Sequence, residues 1–361
     1  MRFEDQLRHA MRKHVDGIVP PPPNADAVMG GQQRSRNPRV VAIPVAVVAI
    51  VGGIVGGTAI IDDESVDSES EALASMDFSQ GLRAYKSPDG PVFLGGRKFK
   101  GADLKKIDTD GTATPYGIVY FDGGRAHLLD EGGNRTPIGE KVDDMPKEFH
   151  PSAKADATGP LAAWTEYGGD HVTIRMYDFA SGKTVATYDL QCGSSCADVS
   201  IDAVDSGYAF IKTGDGTYVW NSAKPDSDPA KVAGPRTDVV DVHSKTMLYS
   251  GPRPEPAPGG PIDDSWTLAK SEIDAELSHD GRHVMSWSPK LEPVRSGGKS
   301  IKLDAKGLAF FTFDTDGSVL ATTMSGNRAK VYDCELPSGK CTPLGKISTR
   351  SGDPMFIGND M

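Results

Sequence analysis

Gly207, Gly281 and Gly317 each close a short turn between two apolar segments, and their separations are two intervals of 37 residues followed by one of 36. That distance is too long for a hairpin and suits one unit of four short strands. The same strand–turn–strand pattern returns at 85–95, 154–164, 201–211, 276–287 and 312–322, and DVHSKTMLYSG at 241–251 fills the gap between Gly207 and Gly281. A second signature follows the first. Residues 174–190 and 329–345 both read Tyr-Asp, then a turn ending Ser-Gly-Lys, then another strand, with weaker versions at 126–139 and 217–224.

Four antiparallel strands a-b-c-d, with an Asp-Gly turn joining a to b and a Ser-Gly-Lys turn joining c to d, make a propeller blade. The spacing predicts an all-β fold over 80–361, a β-propeller of seven blades or alternatively six, the first and shortest lying around 80–108. A two-sheet sandwich also has short strands with regular turns, but it gives no reason for the recurrence. The abundance of turn residues, 41 Gly and 26 Pro in 361, agrees with β-structure. The Ser-Pro-Asp-Gly stretch at 87–90 resembles the a–b turn of bacterial WD40-like and TolB-like β-propellers. The resemblance implies architecture only, because such propellers carry unrelated functions. The Trp-Asp of true WD40 repeats is replaced by Tyr177-Asp178, Tyr332-Asp333 and Trp220-Asn221.

Residues 40–61 form an uncharged run of 22 residues. As a helix it reaches about 33 Å, enough to cross the hydrocarbon core. Arg34, Arg36 and Arg39 precede it and Asp62, Asp63, Glu64 and Asp67 follow it. The positive-inside rule therefore predicts a single-pass protein of a bacterial plasma membrane, with 1–39 in the cytoplasm, an acidic spacer at 62–79 and the propeller outside. A cleaved signal peptide is the rival reading, although the run is longer than a signal's apolar core and its leader is too long. Gly52, Gly53, Gly56 and Gly57 give two overlapping Gly-x-x-x-Gly patterns that would let two such helices dimerise. In the tail, Phe3, Leu7, Met11, Val15 and Ile18 share one face of a short helix within residues 2–18, where a cytoplasmic partner would dock. Residues 20–37 read as a Pro-rich linker.

The formal charge is −11 overall, and because 1–39 carries seven basic against four acidic side chains, the rest of the chain stands at −14. Such an ectodomain is a poor non-specific ligand for nucleic acid. The four cysteines fall in two close pairs on the oxidising side of the membrane, predicting disulfides Cys192–Cys196 and Cys334–Cys341. Neither pair has zinc-site spacing, and no metal or cofactor is expected. Ser296 with Lys299, and Lys212-Thr-Gly, match fragments of the penicillin-binding signature in the wrong order and without Ser-Asp-Asn. Asp108-Thr-Asp-Gly and Asp314-Thr-Asp-Gly begin like calcium loops but lack the closing Glu.

With no catalytic motif, the expectation is a non-enzymatic binding or scaffold module. It would contact an extracytoplasmic protein, polymer or small ligand through the face where b–c and d–a loops gather. Asp122, Arg125, Tyr167, Asp170, His171, Asp215, Arg295 and Arg328 are its candidate residues, joined by the Cys192–Cys196 loop and the Pro-rich insertion at 251–265. Two alternatives stand beside it. One is a transmembrane regulator, anti-sigma-like in layout, that senses an outside ligand and holds a partner through residues 2–18. The other is a propeller hydrolase or lyase, which needs facing carboxylates or histidines in the central channel.

Overall fold

The computed structural model describes residues 81–357 apart from 89, 101–103, 105–106, 108–110, 143–144, 147–148, 256–260, 272–274 and 351. The membrane run, tail, spacer and glycine pairs of the sequence reading lie outside the described residues. Among the described residues no helix is long and apolar enough to cross a membrane.

The strands form seven sheets, the blades of a propeller. Blade 2 contains β4 (Thr112–Thr114), β5 (Gly117–Asp122), β6 (Arg125–Leu129) and β7 (Arg135–Pro137); blade 3 contains β8 (Ala153–Ala155), β9 (Leu161–Tyr167), β10 (His171–Asp178) and β11 (Lys183–Gln191). Blade 4 follows with β12 (Ser200–Asp205), β13 (Tyr208–Thr213), β14 (Gly216–Asn221) and β15 (Ala230–Ala233). Blade 5 has β16 (Asp238–His243), β17 (Thr246–Ser250) and β18 (Thr267–Lys270). Blade 6 has β19 (Glu276–Leu277), β20 (His283–Met285), β21 (Lys290–Pro293) and β22 (Ile301–Lys302), and blade 7 has β23 (Leu308–Phe313), β24 (Val319–Ser325), β25 (Arg328–Glu335) and β26 (Lys340–Ser348).

A blade is covered on both faces by its neighbours, so its middle strands are apolar on both faces. In β9, Ala162 and Trp164 pack in one inter-blade core with Tyr116, Leu128 and Phe179. Ala163, between them, packs in the next with Val172, Met176 and Ile201. Outer strands meet water, and β11 and β26 are correspondingly mostly exposed.

Blade 1 closes the ring. Its order is β27 (Met355–Phe356), β1 (Tyr85–Lys86), β2 (Val92–Leu94) and β3 (Arg97–Phe99). Ile357, beside β27, lines the central channel, so the C-terminal strand is the innermost one. This corrects the reading of the 87–90 turn. It joins the second and third strands and is a b–c turn, and Ser87 Oγ donates to the Ser348 carbonyl at the end of β26, 2.7 Å away.

Blade 5 also departs from the four-stranded antiparallel expectation. Its third strand β18 pairs parallel to β17. The chain therefore leaves Ser250 on the b–c side and re-enters the blade at the opposite end at Thr267, whose N–H donates to the Lys245 carbonyl at 2.9 Å, so β18 holds the third place while running in the direction of β17. Ile262 and Trp266 pack the insertion onto the blade.

Carboxylates in the a–b turns fasten successive blades. Asp156 accepts the Ser206 N–H at 2.8 Å, Asp205 the Ser244 N–H at 3.0 Å, and Asp314 the Arg83 N–H at 2.8 Å. Both expected disulfides are present. Cys192–Cys196 closes the d–a loop between β11 and β12, and Cys334 faces Cys341 in the β25–β26 ladder.

Candidate functional site in the central channel

The inner strands enclose a channel cavity of about 510 Å³. Its lining includes five acids (Asp156, Asp202, Asp238, Asp241, Glu276), two lysines (Lys154, Lys212) and two histidines (His243, His279). Acids outnumber lysines, and walls of low dielectric concentrate the field they make.

The inner strands place these groups. Asp241 Oδ2 accepts the N–H of Leu277 in the next blade at 2.8 Å. Glu276 repeats the contact one blade on, its Oε2 accepting the Phe313 N–H at 3.0 Å and its Oε1 the Thr312 hydroxyl at 3.1 Å. At the b–c end, Lys212 Nζ reaches Asp238 Oδ1 of blade 5 at 2.7 Å. Asp202 lies between the two ends and accepts a longer bond, 3.3 Å from the Thr217 hydroxyl. The His243 and His279 rings meet edge to face at 5.6 Å, and His243 Nε2 lies 3.4 Å from Asp241 Oδ1.

Asp202 and Glu276 retain contact with the cavity while protein encloses them, and loss of hydration disfavours their charged forms. This pushes Glu276 up to about 8, against the opposing bonds from Phe313 and Thr312 and with further upward push from Asp241. Asp202 rises to about 7, held back by Lys212 and Lys154. His279 falls to about 4 through burial and then the neighbouring His243. Near neutral pH the channel therefore contains carboxyl groups able to ionise when a positive charge arrives. Among the described residues, no three His, Cys, Asp or Glu side chains are grouped to hold a metal ion.

The residues expected on the binding face lie elsewhere. Asp122 and Arg125 face each other across the β5–β6 hairpin, and Arg125 Nε donates to the Gly139 carbonyl at 2.7 Å. Tyr167 and His171 line one groove of about 710 Å³ between blades 2 and 3, with Asp170 Oδ1 3.0 Å from His171 Nδ1. That groove ends on a buried pair: Arg175 donates to Glu166 at 2.9 and 2.8 Å, and Trp164 Nε1 donates to the same carboxylate at 2.8 Å. Asp215 is engaged within its own blade by Thr213, Tyr218 and Lys231, which draw it down to about 2. Arg328 opens β25 and is exposed. These seven share the b–c side without converging, whereas Arg295 belongs to the c–d turn after β21 and lies at the opposite end. Trp287, in the b–c turn of blade 6 and 56% exposed, belongs to the expected face but was not among its predicted residues.

No family model matches this chain, and no curated protein matches it. Among solved structures it is similar to TolB from Acinetobacter baumannii, at 12% identity and a TM-score of 0.33, over 66% of this chain and 61% of that one. A quinonprotein alcohol dehydrogenase-like protein from Bacteroides thetaiotaomicron is similar at 10% identity and a TM-score of 0.34, over 78% of this chain and 79% of that one. The chain thus spans 61% of the length of the TolB structure. The propeller architecture rests on the strand topology, and these distant similarities carry no residue or activity across.

Proposed function

We propose that this propeller is a non-enzymatic binding module, held on the outer side of a bacterial plasma membrane by residues 40–61, that takes a small positively charged ligand into its central channel. The observation supporting this reading is the acid-rich channel wall, with Asp202 and Glu276 enclosed around a cavity of small-ligand size. Asp241 and Glu276 also accept backbone N–H groups of adjacent blades, which suits fixed walls better than groups that shuttle protons. The test is calorimetric titration of the full chain in nanodiscs with spermidine as the probe, at pH 6 and pH 8.5. Binding that strengthens at the higher pH and weakens about tenfold in Asp202→Asn is expected. Absence of binding at both values, or an Asp202→Asn variant that binds as the parent does, overturns the channel reading.

The grouping of Asp202, Asp241, Glu276 and His279 also favours a second reading, a hydrolase or lyase acting in the channel. Turnover of a glycoside or ester library that disappears in Glu276→Gln at unchanged fold would replace the first reading. The regulator reading rests on residues 2–18 alone, and a pull-down from cytoplasmic extract with the 1–39 peptide tests it.

A further inference from the structure

Blade 5 leaves a gap that the other blades do not. Among the described residues it has three strands, and beside it the a–b and c–d turns of blade 6 border a groove of about 860 Å³ on the side opposite the b–c loops. The charge of this groove reverses that of the protein. Lys245, Arg282, Arg295, Lys299 and Lys302 line it against one acid, Asp280, in a chain of formal charge −11. Asp280 is already engaged, accepting the Ser278 hydroxyl at 2.6 Å and the Arg282 N–H at 3.0 Å, and its Oδ2 lies 3.7 Å from Arg282 Nε, so the one acid offsets Arg282. Lys299 and Lys302 form no ion pair with a described residue.

With Arg282 offset by Asp280, four cations in one concavity still repel one another, and an anion between them relieves that repulsion. Their placement limits what the anion can be. Lys245 and Arg282 come from the a–b turns of two blades, Arg295 and Lys299 from one c–d turn, and Lys302 from β22, so one compact anion does not meet them all. Arg295 is held across the gap, its Nη2 donating to the Thr267 hydroxyl of blade 5 at 3.2 Å. The Thr246 hydroxyl lies on the same wall, while those of Ser244 and Ser300 already donate to the His279 carbonyl at 2.8 Å and to Glu292 at 2.7 Å. Arginine forks and lysine point charges spread along one wall suit a chain of tetrahedral oxyanions with several terminal oxygens better than a single planar carboxylate.

We propose that the groove between blades 5 and 6 binds a phosphate-bearing polyanion, an extended polymer with several phosphate groups. This is independent of the channel reading, since the two sites share only the a–b turns at their border.

The test uses the full chain in phosphatidylcholine nanodiscs, titrated with inorganic polyphosphate between 50 and 200 mM salt, concentrations over which phosphate contacts weaken steeply. Binding that falls as salt rises, and that drops about tenfold in Lys299→Ser/Lys302→Ser, is the expected result. Both lysines are surface residues, so the double variant should keep the parent melting temperature. Lys183→Ser, in β11 of blade 3, should leave affinity unchanged. Equal binding by parent and double variant overturns the proposal, as does a preference for polyglutamate over polyphosphate. Binding of polyphosphate only after the acids at 64–77 are changed to amides also overturns it, by assigning the groove to the chain's own acidic segment.

Discussion

The channel and the groove are both concave and both charged, but their charges are held in different ways. In the channel, Asp241 and Glu276 sit in inner strands and take backbone N–H groups from the next blade, so they belong to the ring's fastening. In the groove, Lys299 lies in an exposed turn and Lys302 at the end of a two-residue outer strand. The difference teaches that the channel acids Asp241 and Glu276 act as structure, whereas Lys299 and Lys302 of the groove are held by no ion pair with a described residue.

The contrast is sharpest in stability. Glu276→Ala strands the Phe313 N–H and the Thr312 hydroxyl and should cost about 2 to 3 kcal/mol in urea unfolding of the full chain. A loss below about 0.5 kcal/mol would mean that water replaces the carboxylate and that the channel is no more structural than the groove.

The next effect is on pH dependence. Glu276 moves from an ordinary 4.5 to about 8 on folding and Asp202 from 3.8 to about 7, so the folded state holds protons that the unfolded chain has released. Stability from these groups is complete below their ordinary values and declines as pH rises through about 7 and 8. His279, lowered from 6.5 to about 4, acts with the opposite sign and only below 6.5, where stability is lost as pH falls. Melting temperature should therefore fall between pH 6.5 and 8, and Glu276→Gln should flatten that slope. An unchanged slope in Glu276→Gln would break the assignment. Groove substitutions should leave it untouched, because lysine and arginine do not titrate in this range.

The smallest effect belongs to the rim. Lys299→Ala should change unfolding free energy by no more than about 0.5 kcal/mol, since an unpaired surface cation contributes little to folding. A loss as large as that of Glu276→Ala would erase the distinction between the two regions.

Much of the architecture was legible in the sequence because a propeller repeats its local chemistry. The recurring turns at Gly207, Gly281 and Gly317 mark the second position of three blades, and both disulfides span separations too short to need tertiary knowledge. What was not legible depends on contacts distant in sequence. The 87–90 turn has the composition of an a–b turn, but β27 arrives from the other end of the chain and moves every strand of that blade one place outward. Arg295 follows a short strand pair whose boundaries shifted it to the opposite end of blade 6. The Pro-rich stretch after Ser250 reads as an ordinary b–c loop, and only the parallel pairing of β18 with β17 shows that the chain re-enters the blade from the opposite end.

The channel acids were missed for a different reason. Asp202 and Asp241 sit among Ile, Ala and Val, where an acid resembles the polar half of an ordinary strand alternation. In an inner strand that half faces the axis rather than bulk water. An isolated acid in a strand that otherwise reads as buried is the signal that could have found them.

The closing strand also governs timing. Tyr85 and Phe356 pair across nearly the whole described length of the chain. Blades emerging one after another during synthesis can stack locally, but blade 1 has no inner strand until β27 has emerged. Until β27 pairs, Tyr85 and Lys86 of β1 present an open strand edge, and the stage before that pairing is the one most exposed to edge-to-edge aggregation.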